Sequence, residues 1–328
     1  MSRRTTFKWR SACWLWKPFA SGNHGETELK RRFRRCTMGF FATIGRGWEM
    51  SKLSMSVVKK DPELMVYMII AGLMSLACLV GMSIPQLFEM EWAVNPDGSF
   101  TPAYLGFTFV AYMVLSIIVV FWNCAIIANA NIRLTGGDPT FADGIGLAVK
   151  RLPIIIVWGI IAGTVGLLLK ALEGAARSSD HPAAATLGAI VHFIGGLAWW
   201  VMTFFMIPHL VLEGKSLGDA LKASKATFFS TWGENITSGL GIGLVAVLIG
   251  IPLIVVTIGL SIVMGPAGLL LGAILIGLLI AWTNAAEQVA VVALYRFAKD
   301  GKMPKIYRDQ GMNMYTFGQD GQLPNIKM

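Results

Sequence analysis

Six apolar runs, each long enough to cross a lipid bilayer and nearly free of charge, constrain this chain more than any other feature. They fall near residues 63–88, 103–130, 152–172, 183–212, 236–260 and 266–290. The hydrocarbon core of a bilayer is about 30 Å thick, which takes roughly 20 helical residues. One such run would also suit a buried helix of a soluble protein, but six in one chain do not. Charged residues make up only 14% of the 328, against roughly a quarter in soluble domains. Backbone in hydrocarbon must satisfy its own hydrogen bonds, which favours helices. The reading is an all-α polytopic membrane protein with about six transmembrane helices and cytoplasmic interfacial helices.

A net charge of +9 invites a nucleic-acid reading, which the distribution of the charge removes. Of the lysines and arginines, 14 lie up to Lys60, three in 131–151, three in 213–235 and six from Arg296 onward. The alternate loops hold only Lys170 and Arg177. Cytoplasmic loops carry the basic excess, so both termini are expected in the cytoplasm. The expected partners are the lipid bilayer, an anionic lipid at the inner face, and a protein partner or a homo-oligomer; nucleic acid is not among them. Cys13, Cys36, Cys78 and Cys124 lack metal-site spacing, and neither metal nor cofactor is expected.

Residues 1–37 form a basic extension with interleaved Trp9, Trp14 and Trp16. Its start resembles a twin-arginine export signal, but Lys17-Pro18 interrupt the apolar stretch such a signal needs. Two readings stay open: a surface anchor, or a stretch ahead of a true start at Met38. Residues 38–298 are expected to form the transmembrane domain and 299–328 a loosely ordered cytoplasmic tail. Within 44–60, Ile44, Trp48, Met55 and Val58 lie close to helical spacing, predicting an interfacial helix before the first span.

A repeat is visible. Val58, Lys59, Pro62, Val66, Ile69, Ile70, Ala71 and Gly72 recur 91 residues later, from Val149 to Gly163, with Tyr67 facing Trp158. Thr140 with Asp143 and Ser216 with Asp219 both read as capping-box-like helix starts. Phe141, Ile145 and Ala148 match Leu217, Leu221 and Ser224 in phase, and Leu152 matches Phe228. The pattern predicts three units, each an interfacial helix followed by a transmembrane hairpin.

Ionisable groups inside a membrane point to function by default. Glu287, with Asn284 and Gln288, falls about 20 residues beyond Pro266, at the expected inner boundary. A structural carboxylate and a proton or ion role both remain open for it. His192 lies about 12 Å inside the fourth run; it reads as a neutral histidine bonded across helices or as a ligand or relay group. His209 and Glu213, four residues apart, share a helical face and suit a local pair or, with further ligands, a metal. Gly268 and Gly272 would let another helix approach closely. No catalytic pattern of serine, histidine and aspartate, and no paired carboxylates, point to an enzyme.

Three stretches together resemble a prokaryotic multi-pass membrane-protein family known only as a domain of unknown function. The first joins Gly45-Arg46-Gly47-Trp48 to Lys60-Asp61-Pro62-Glu63-Leu64. The second runs from Pro208-His209 to Glu213, then to Thr231-Trp232-Gly233-Glu234. The third is Ala293-Leu294-Tyr295-Arg296 with Gly301 and Pro304. The resemblance spans about 38–307. It implies a bacterial or archaeal plasma-membrane protein, brings no activity with it, and sets Glu234 near the junction of an inner helix with the fifth span. Two function classes follow: a membrane scaffold or assembly partner, and a small-solute or ion transporter or channel. Trp48, Phe228 and Trp232 beside Lys52, Lys222 and Lys225 motivate the first.

Overall fold

The computed structural model describes residues 48–177 and 182–310, with the side chains of all but 175–177, 182–185 and 232–240. The extension at 1–37, Met38 and the end of the tail lie outside the described residues. The helices are α1 (48–60), α2 (Glu63–Leu87), α3 (Pro102–Leu134), α4 (Phe141–Lys150), α5 (Leu152–Arg177) and α6 (Pro182–Thr203). They continue with α7 (Met206–Val211), α8 (Leu217–Ser230), α9 (Trp232–Met264), α10 (Pro266–Asp300) and α11 (Lys305–Arg308). Six stretches are long and apolar enough to cross a membrane: α2, α3, most of α5, α6 together with α7, most of α9, and α10. The protein is an all-α polytopic membrane protein. From α1, α4 and α8 onward, the order short helix, long helix, long helix recurs, with α7 interposed before the last set.

Two helices overrun the bilayer. α3 has 33 residues and α10 has 35, so each rises about 50 Å, roughly 20 Å more than the hydrocarbon core. The apolar runs alone placed their ends near 130 and 290. Each helix continues because nothing breaks it before Gly136 and Gly301, whose φ angles are +93° and +68°. The surplus length is buried: residues 124–130 of α3 and 289–295 of α10 have no exposed face. Such burial needs neighbours on every side, and many of these positions are alanine, which lets backbones approach closely. The neighbours are Met50 and Val58 of α1, Ala148 of α4, Leu210 of α7, Phe228 of α8 and Tyr307.

Polar ties close this basic end of the bundle. Arg133 grips Asp61 with two guanidinium nitrogens. Tyr67 donates to the Phe141 carbonyl at 2.8 Å and accepts from Asn129 at 2.8 Å, joining α2, α3 and α4. A β-carbon at Gly144 would lie 2.6 Å from the Ala125 carbonyl oxygen, so only glycine lets α4 seat there. Arg296 donates to Asn131 at 2.7 Å. The chain beyond α10 differs from the loose tail expected after residue 298. Met303 and Tyr307 are buried, and Tyr307 shares a 2.8 Å hydrogen bond with Ser54 of α1. Two side chains anchor this short piece, so its lack of apolar periodicity concealed it.

The far end is built differently. α2 pairs with α3, α5 with α6 and α9 with α10, but their outer halves leave large apolar residues exposed, as with Val80, Val110 and Ile262. In the last hairpin a β-carbon at Gly272 would lie 2.6 Å from Thr257 Cβ, so the Gly268 and Gly272 pair is where α9 comes closest. The loop between α2 and α3 turns at Gly98, with φ +81°. Trp92, Phe100, Tyr104 and Phe107 cluster above it, as aromatic residues do at membrane boundaries.

Candidate functional site at the basic end

The fourth span does not run straight to the basic end. Pro208 has no N–H to give to the carbonyl four residues back, and its ring crowds that carbonyl. The helix breaks at Phe204 and Phe205, one turn before the proline. Ser224 of α8, buried at the break, accepts the Phe205 N–H at 3.0 Å. This explains why a polar residue stands in the otherwise apolar phase of α8. Beyond α7 the chain turns at Gly214, where φ is +68°, and the Lys215 N–H reaches back to the His209 carbonyl at 3.2 Å. A left-handed backbone conformation just past a helix favours glycine, which has no β-carbon to clash. A β-carbon on Gly214 would also sit 2.9 Å from the Arg151 guanidinium carbon.

The break and the turn aim His209 and Glu213 at each other and at α10. His209 Nδ1 lies 3.1 Å from Glu213 Oε2. A carboxylate accepts, so Nδ1 carries the proton, and in the neutral ring Nε2 accepts from the Thr227 hydroxyl at 3.0 Å. Tyr295 donates to Glu213 Oε1 at 2.6 Å, Lys299 reaches the same oxygen at 3.2 Å, and Lys215 reaches Oε2 at 2.5 Å. The His209 and Tyr295 rings meet edge to face at 5.3 Å. Burial opposes ionisation of Glu213, but hydrogen bonds from Lys215, Tyr295, His209 and Lys299 outweigh it and hold the carboxyl well below its ordinary range.

Chemically, this cluster fixes one tautomer of a buried imidazole, ties α7 to α10 through one carboxylate, and holds α8 through the other nitrogen of that imidazole. Hydroxyl, imidazole and carboxylate follow one another as in a proton relay. With His209 only 5% exposed, the ring does not present itself to a substrate. Among the described residues no three His, Cys, Asp or Glu side chains gather as a metal site. The sequence pairs His209 with Glu213 but misses Thr227, Tyr295 and Lys299. The only local trace of the last two is their spacing of four on α10.

The remaining sequence candidates do not join the cluster. His192 donates from Nδ1 to the Leu169 carbonyl at 2.9 Å, bridging α6 to α5. Asn284 and Glu287 lie on an exposed face of α10, where Asn284 donates to its own helix at the Ile280 carbonyl, 2.8 Å away. Glu287 makes no ion pair among the described residues. The side chain of Glu234 lies outside the described residues. Phe228, one of the aromatics named beside Lys222 and Lys225, is 2% exposed and sits with Ala220 and Ser224 on the buried face of α8. Phe229 is the exposed ring, at 55%, on the same face as Lys222 and Lys225.

Residues 102–305, from α3 to the first residue of α11, match a family of unknown function, DUF6159. The chain belongs to that family. The match encloses every member of the Glu213 cluster, together with the Trp232-Gly233-Glu234 and Ala293-Leu294-Tyr295-Arg296 elements. The elements ahead of residue 102, Gly45 to Trp48 and Lys60 to Leu64, stand outside it. A comparison with curated proteins found no match.

Proposed function

We propose that this protein is a scaffold or assembly partner in a prokaryotic plasma membrane, with both termini and the basic end in the cytoplasm. The support for orientation is the lysine and arginine count between spans. One observation carries the function. The tightly packed core lies at the basic end rather than around a central passage, and it holds out the exposed Lys222, Lys225 and Phe229 face of α8. A rigid base with one cationic and aromatic face suits docking of an acidic partner protein, and the anionic leaflet beside it reinforces the approach.

The test is cross-linking in native membranes, with the full chain and with Lys222→Glu and Lys225→Glu combined. A discrete adduct that the double substitution removes supports the reading. An adduct of unchanged yield rules this face out.

A small-solute or ion transporter is a second reading, favoured by the exposed Asn284 and Glu287 within a span. It expects Glu287→Gln to abolish a measurable flux, and flux at the unaltered rate would take Glu287 out of the mechanism.

A further inference from the structure

Between the start of α2 and the middle of α10 runs an open groove of about 360 Å³. Val58, Pro62, Met65, Leu278, Leu279 and Trp282 supply its apolar walls, and Lys59 is the one charged residue lining it. We infer that this groove holds a single anionic phospholipid, with an acyl chain against α10 and its phosphate on Lys59.

Depth supports the match. Counting from Pro266 at the far boundary, Leu278 lies about 18 Å and Trp282 about 24 Å along α10. The deeper wall is therefore at acyl-chain level in a core of about 30 Å. Lys59 closes α1 just before the first span begins, at the level of the headgroups, where tryptophan also collects.

Charge supports it as well. Asp61, two residues from Lys59, is already taken by Arg133. Glu63 is exposed on the first turn of α2, and it makes no ion pair with Lys59. Lys60 is exposed beside it. With Asp61 neutralised by Arg133 of α3, Lys59 and Lys60 outnumber Glu63 at the rim of an apolar trough, the complement of an anionic headgroup on a hydrocarbon chain.

A second groove gives the contrast. It lies between α2 and α3, is lined by Cys78, Gly81, Met82, Phe107, Val110 and neighbours, and encloses about 330 Å³. No charged residue lines it. A lipid chain there would have nothing to select its headgroup.

The site rests on the proposed orientation only for which leaflet supplies the lipid. The test is native mass spectrometry of the full chain in detergent, supplied with phosphatidylglycerol or with phosphatidylcholine. The expected result is one retained phosphatidylglycerol, favoured roughly fivefold over phosphatidylcholine, the weight of one lysine at a membrane surface. Lys59→Gln, at an exposed residue that leaves the fold intact, brings the two lipids to parity. Leu278→Trp fills the groove and lowers retention of both, whereas Gly81→Leu in the other groove leaves the preference unchanged. Equal retention by the unaltered chain, a preference that survives Lys59→Gln, or a homodimer that excludes the lipid would each overturn the site. Lys222→Glu with Lys225→Glu is expected to leave the preference alone, so this site and the docking face fail separately.

Discussion

The two ends of the bundle are made from the same helices yet held together by different means. At the basic end, α3 and α10 are buried on all sides, and charged groups are paired across elements, as with Asp61 and Arg133 or Glu213 and Lys299. At the far end the same helices turn apolar faces outward, and their contacts run through small residues, as where Gly166 of α5 meets Tyr112 of α3. Lipid tails solvate leucine as well as another helix does, so nothing drives the outer halves together beyond close packing at small residues such as Gly272. Outside the hydrocarbon the hydrophobic effect operates again, and the overrunning ends of α3 and α10 fold like a small soluble domain. Stability should therefore be concentrated at one end.

The sharpest way to break this comparison is a matched pair of truncations on α10. Leu294→Ala, at a position 0% exposed, should destabilise by about 3 kcal/mol. Ile274→Ala, at a position 60% exposed, should change stability by less than about 0.5 kcal/mol. Thermal unfolding in one detergent compares them directly, and equal effects would deny the asymmetry.

Glu213→Gln should rank next, at about 2 kcal/mol, because it weakens charge-assisted bonds to Tyr295, His209 and two lysines together. Its effect should depend on pH in a stated direction. The folded carboxyl titrates below its ordinary value of 4.5. The contribution is then fully present above about 4.5 and fades as the pH falls toward the folded value. Unfolding measured from pH 7 down to 3 should bring the unaltered chain toward the variant only at the acid end. A gap that closes above pH 5 would remove Glu213 as the hub.

Tyr307→Phe should be milder, about 1 kcal/mol, since Ser54 keeps its bond to the Met50 carbonyl at 2.9 Å. Its distinctive readout is local. Proteolysis after α10 should accelerate more than global unfolding does, and parallel changes in both would mean that α11 is not a separately held piece.

Much of the fold was legible because the bilayer simplifies the reading: length and lack of charge alone locate the spans. The repeat also carried information about packing. Leu64 and Ile155, one offset apart, are each 1% exposed, and Tyr67 and Trp158 are 0% and 6% exposed. Correspondence fails at Val58 and Val149, which are 0% and 52% exposed: Val58 lies beside Leu278, Leu279 and Trp282 of α10. The site was legible only where its partners are close in sequence. His209 and Glu213 announce themselves by spacing, whereas Tyr295 and Lys299 stand 82 and 86 residues from Glu213, and no local period links them. The in-phase reading of Ser224 with Phe228 matches the buried face of α8, where they are 0% and 2% exposed, while the exposed Phe229 next to it carried no signal of its own.

The break one turn before Pro208 has a mechanical meaning. A continuous helix is a stiff rod, and bending at its outer end levers whatever is fixed to its inner end. α6 is not continuous with α7, and across the gap the Phe205 amide is tethered to Ser224. The Glu213 cluster, mounted beyond the joint, takes its position from α8 and α10 rather than from a rod running on from α6, so whatever orients the basic end passes through side-chain contacts and not along a single helix axis.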